Sequence, residues 1–168
     1  MKKTPEILRR IATVAALVLV IQSSPIHAQT SAWPAYMPTL QPARSMSPMA
    51  AKLPANVSIE APSPDLPSKI AAWSGKWSGW TGRNQVGDLR LAVETVSAEG
   101  ATLVYGFADS RTTEPFIVRV PAKFVGDELQ ATLPGNGALI VFRMRDPRVV
   151  EFRYDNGEQK SFGVMAKE

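Results

Sequence analysis

The chemistry open to this chain is bounded first by what it lacks. It has no cysteine, and its one histidine, His27, sits in an amino-terminal segment with the marks of an export signal. Beyond residue 28 neither residue type remains. That excludes a Ser-His-Asp triad, a thiol nucleophile, Cys/His zinc sites and haem held by His or Cys. Carboxylates can still pair for glycoside chemistry, but most of them, Asp109, Asp127 and Asp155 among them, fall in or beside expected turns, where charge is normally solvated. Glu94 and Glu151 alone stand well inside expected strands. The reading is of a non-catalytic chain with no cofactor and no metal site.

Residues suited to binding are easier to find. Trp73, Trp77 and Trp80, three of the four tryptophans, lie within eight residues. Trp77 and Trp80 are three apart, so on a strand they face opposite sides. Trp77 is expected inside, leaving Trp80, with Trp73 near it, as an outward platform for sugar rings or a partner protein. Arg143, Arg145, Arg148 and Arg153 cluster within eleven residues and alternate with apolar positions. They read as an outer face opposite Glu151 and Asp155, or as a patch for an anion or acidic partner. The candidate ligand- or partner-binding residues are therefore Trp73, Trp80, Tyr105, Arg143 and Arg153.

Three segments must position these residues. In residues 1–28, Lys2, Lys3, Arg9 and Arg10 precede an apolar run from Ile11 to Ile21, and Ile26-His27-Ala28 offers a cleavage site. This is the pattern of a secretory signal, with the mature chain periplasmic or secreted. An eleven-residue helix spans only about 16 Å, half a bilayer core, so no membrane span is expected once the signal is removed. The signal also takes +3 of the +4 net charge with it, which removes the case for nucleic-acid binding. Eight prolines fall from Pro34 to Pro67, seven of them within the segment 29–66, among Ala, Ser, Thr and Met. Each proline removes an amide donor and biases its predecessor toward extended backbone. The expectation is a disordered, flexible linker, with Trp33, Pro34 and Tyr36 as anchors if it docks in a partner's groove.

From residue 67 onward the pattern changes. Asp65 or Ser68 can cap a short helical turn through Trp73. A strand is expected over about 76–83, and period-two alternation follows: Leu89, Leu91 and Val93; Leu103, Tyr105 and Phe107; Phe116, Val118 and Val120. Pro121 demands an edge, bend or bulge. Gly126-Asp127, Pro134-Gly135-Asn136-Gly137 and Asn156-Gly157 supply turns. About eight strands with short loops predict a single all-β domain over 67–168, a small antiparallel up-and-down β-barrel.

Gly75-Lys76-Trp77 is a Gly-x-Trp on the first strand of that meander, and in this it resembles the lipocalin and calycin group of small exported barrels. The resemblance implies that Trp77 plugs the barrel floor. The Thr-Asp-Tyr motif of typical lipocalins is absent, Lys167 stands loosely where an arginine is expected, and no tryptophan follows Trp80 to build an avidin-like biotin site. The implied relation is one of architecture, and no known ligand comes with it.

An eight-stranded barrel is filled by side chains or holds one small ligand. The inner set, in which Phe152 and Phe162 are also counted, is bulky, so a filled core is expected, with any ligand at the mouth. The leading expectation is an exported binding module for a protein, an envelope glycan or a small apolar ligand. The alternative is a secreted protein inhibitor whose Pro-rich arm enters a partner's cleft.

Overall fold

The computed structural model describes residues 33–109 and 115–168. The expected export signal and the centre of the loop after residue 109 lie outside the described residues. Eight strands follow in order: β1 Gly75–Thr81, β2 Gly87–Val96, β3 Gly100–Asp109, β4 Phe116–Val125, β5 Glu128–Thr132, β6 Leu139–Asp146, β7 Val149–Asp155 and β8 Lys160–Lys167. Each pairs antiparallel with the next and β8 pairs back onto β1, closing the barrel. The all-β, up-and-down architecture expected from the sequence is the one that forms.

The alternation works as expected because one face of each strand is spent on a single core. Trp77, Leu91, Leu103, Phe142, Phe152 and Met165 are all buried there. Pro121 lies where β4 pairs with β3 alone, since β4 meets β5 only over Lys123–Val125. That is the local edge its missing amide requires. Phe162 departs from the expected inner set. It points outward and packs on Trp33, with ring centroids 6.4 Å apart.

The seam between β1 and β8 is the tightest part of the barrel. A Cβ on Gly79 would stand 2.0 Å from the Val164 carbonyl oxygen, and one on Gly163 would stand 2.0 Å from that of Trp80. Both are glycine because the backbones approach too closely for any side chain. Beneath the seam the barrel is sealed. A single helical turn, α1 Ser68–Ala71, starts after Pro67 without a side-chain cap, so neither Asp65 nor Ser68 plays the expected capping role. Trp73 follows it into the core and packs on Phe124, and its carbonyl accepts a 3.1 Å hydrogen bond from the Trp77 indole. Lys167 closes the floor: its ammonium lies 5.1 Å from the Trp77 ring centroid and donates to the Ala72 carbonyl at 2.8 Å.

Residues 33–60 differ most from expectation. They are not a free tether but an arm laid along the outside of the barrel, and residues 31–168 form one compact unit with no boundary at 66–67. The prolines do exclude helix and inner strand. They do not exclude docking, because barrel side chains take up the arm's backbone groups. Arg145 donates to the carbonyls of Met37 and Leu40, both at 2.7 Å. The Trp80 indole donates to Gln41 at 3.0 Å, and the Ala51 amide donates to Asp88 at 2.7 Å. Met37 is fully buried against Trp80 and Val164. Among the described residues no helix is long and apolar enough to cross a membrane.

The seam makes a direct prediction. Gly163→Ala forces a methyl into a backbone oxygen and is expected to cost more than about 3 kcal/mol, or to prevent folding. Ser161→Ala, two residues earlier on the same face, is expected to cost less than about 1.5 kcal/mol. Urea unfolding followed by circular dichroism measures both; a wild-type midpoint for Gly163→Ala would show that the seam accepts a side chain.

Candidate functional site

The end of the barrel opposite α1 is open. It holds a cavity of about 840 Å³, bounded by the upper ends of the strands and the loops that join them. Its shape follows from which residues point inward at that level. Toward β8, β1 and β2 the inward positions are small: Ser161, Thr81 and Gly87. Around them stand five rings from β3, β4 and β7, Tyr105, Phe107, Phe116, Phe152 and Tyr154. Small residues among large ones leave a cup in the upper half, while Trp77, Leu91 and Phe142 fill the lower half. The barrel is thus part core and part cavity, where the sequence led us to expect a filled interior.

The wall is ordered by ring contacts. Tyr105 stacks on Phe152 with centroids 5.8 Å apart and planes 18° apart, and meets Phe116 edge-on at 6.4 Å. Phe142 supports Phe152 from below at 5.4 Å. Polar groups are few and mostly engaged. The Thr81 and Ser161 hydroxyls bond each other at 2.8 Å, and the Tyr154 hydroxyl accepts from Asn136 at 3.1 Å. Asp109 is buried in the lining, and Arg83 and Lys160 stand at the rim. Burial pushes the Tyr105 phenol well above its ordinary pKa, with a smaller contribution from Tyr154. It is a protonated donor at any physiological pH.

Of the residues singled out from the sequence, the cavity collects only Tyr105. Trp73 is buried in the floor and Trp80 is covered by the arm, so neither is an outward platform. Arg143 is engaged on the outer face. Its guanidinium donates to Glu151 at 2.8 Å and lies 4.5 Å from the Trp33 ring centroid. Arg153 donates to Asp155 at 3.0 Å. Its expected pairing is present, but this face is not solvated, since Arg153 and Glu151 are both buried. Glu94 and Glu151 likewise face outward, each bound by arginine. Among the described residues no group of three or more His, Cys, Asp or Glu side chains is placed to hold a metal ion. Phe107, Phe116 and Phe152 were legible as inner residues from alternation; what alternation does not carry is the height at which each enters the barrel.

The arm also reaches the mouth. The Met46 amide donates to Gln85 at 2.7 Å, in the β1–β2 loop, and Ser47 donates to the Ala108 carbonyl beside Asp109 at 3.5 Å. Farther along, Glu94 accepts from Arg119 at 2.8 and 3.0 Å and from the Ser58 amide at 3.2 Å. The Arg119 hydrogen bonds hold the Glu94 carboxyl below the usual carboxylate range, and burial opposes them. A carboxyl depressed in the folded state stabilises that state above its ordinary value of 4.5, and the contribution is lost as pH falls through the lower folded value. Exchange at the Ser58 amide, corrected for intrinsic rate, is therefore expected to accelerate as pH falls below about 4.5 and through the lower folded value. In Glu94→Gln it is expected to be faster throughout and to lose most of that pH dependence.

Comparison of the chain with protein-family models, with curated proteins and with solved structures finds no match in any of the three.

Proposed function

We propose that this protein is an exported, non-catalytic binding barrel that holds a small, largely apolar ligand in the cavity at its mouth. The observation that carries this reading is the cup itself. A volume of about 840 Å³ walled by five aromatic rings is of the size and character of small-molecule sites. Closely packed barrels have no reason to keep such a space, because an unfilled apolar void forfeits packing.

The lipocalin and calycin resemblance supports the same reading. The Gly-x-Trp of Gly75-Lys76-Trp77 lies on β1 of a closed eight-stranded meander. The arginine expected after the last strand is missing, and Lys167, which covers the Trp77 ring, is a loose stand-in for it. Export rests on the pattern of residues 1–28. A glycan or protein platform on Trp73 and Trp80 is less well supported, since both rings are buried. The inhibitor reading needs a free arm. Here Arg145, Trp80 and Asp88 each hold the arm's backbone, and releasing it would expose Met37 and break those hydrogen bonds.

Native mass spectrometry of residues 29–168 purified from the source organism is expected to show a bound species lost on organic extraction. Ser161→Trp, which drives a large ring into the cavity from β8, is expected to abolish uptake of an apolar fluorescent probe with circular dichroism unchanged. Probe binding that survives in a folded Ser161→Trp protein would place the binding elsewhere.

A further inference from the structure

The aromatic wall contains one feature that packing does not explain. Tyr105 is 3 % exposed, yet its hydroxyl makes no hydrogen bond among the described residues. The other phenol on this wall, Tyr154, accepts a hydrogen bond from Asn136, and the rings that Tyr105 contacts are phenylalanines. A hydroxyl that the protein leaves unpaired adds nothing to the ring packing, and phenylalanine would keep every ring contact there. The residue lines the cavity, and its hydroxyl is not among the sealed polar atoms without a partner, a class that holds Arg153 Nε alone. The phenol is therefore reached from the cup.

Building on the binding function proposed above, we propose that Tyr105 selects the ligand by donating its hydroxyl hydrogen to an acceptor on a planar aromatic molecule, such as an aryl ketone or quinone. The cup is lined by the rings of Tyr105, Phe107, Phe116, Phe152 and Tyr154, which favours an aromatic ligand over a coiled acyl chain. A protonated phenol can donate as well as accept, and for its hydrogen a carbonyl oxygen is the acceptor that flat aromatic molecules carry in plane. A site built to satisfy a buried polar group discriminates strongly against a ligand that leaves it unpaired. The known parts of the cavity thus divide the work. The phenylalanines supply affinity for any flat apolar molecule, and Tyr105 supplies the choice among them.

The matched pair 9-fluorenone and fluorene, which differ at one carbon by a carbonyl, tests this by equilibrium dialysis against residues 29–168. The wild-type protein is expected to bind fluorenone about tenfold more tightly than fluorene. Tyr105→Phe is expected to remove that preference, leave fluorene binding unchanged, and show a thermal midpoint no lower than wild type. Equal binding of the two by the wild-type protein, or a preference that survives Tyr105→Phe, overturns the role of Tyr105 and leaves the cavity as the binding site. A lowered midpoint in Tyr105→Phe overturns it as well, because it reveals a structural partner for the hydroxyl. Failure of both compounds to bind the wild-type protein overturns the cavity reading together with this one.

Discussion

The close approach of β1 and β8 is the constraint on which the molecule depends. Hairpins alone would leave β1 and β8 as two open edges, each a row of unpaired amides and carbonyls. Closure removes both, and it is possible only because Gly79 and Gly163 let the two backbones meet without side chains between them. The same crossing fixes two tryptophans on opposite faces. Trp77 turns in to seal the floor, and Trp80 turns out to give the arm its anchor. Inner core and outer layer are thus set by one seam.

From that seam the barrel divides along its axis. Below, Trp73, Trp77 and Phe142 fill the interior. Above, the small inward residues of β8, β1 and β2 leave room that the rings of β3, β4 and β7 do not cross. The outside is organised by charge as much as by apolar contact. Glu151 is shared by Arg143 and Arg145, and Arg145 extends the network to the arm's carbonyls. Buried Asp88, Glu94, Glu151 and Arg153 are each tied to another charge or to a peptide group, the condition under which burying them is tolerable. The exception is the Nε of Arg153, which is buried without a partner.

Much of the fold could be read from the sequence because its signals are local. Alternation over Leu89–Val93 and Leu103–Phe107, and the turn dipeptides Gly126-Asp127 and Asn156-Gly157, act over a few residues and are written in order. The arm was misread because proline reports what a backbone cannot form, not whether it is bound. Its signature lies elsewhere, in β3. Leu103, Tyr105 and Phe107 are apolar inward, but Val104, Gly106 and Ala108 are apolar or small outward, and all three are buried. A strand that avoids polar residues on both faces is covered on both, and a Cβ on Gly106 would meet the Lys52 carbonyl at 2.5 Å. The position of Tyr105 at the cup was not legible, since it depends on the height of each strand around the barrel. Trp73 and Trp80 were attractive for their chemistry, and the fold consumes them for closure and docking.

The arm has a consequence for the order of assembly. Strand neighbours are sequence neighbours everywhere except at the seam, so the hairpins can form from nearby chain. The bond from Arg145 to the Met37 carbonyl instead spans 108 residues, and the one from Trp80 to Gln41 spans 39. Loops of that length must be closed before the contacts reward it. The arm precedes every strand in the chain, yet its receptors are finished only when β6 and β7 are in place beside β8. A segment that precedes every strand is thus seated by contacts that exist only once the barrel is built, and it covers the outward Trp80, Val164 and Val104.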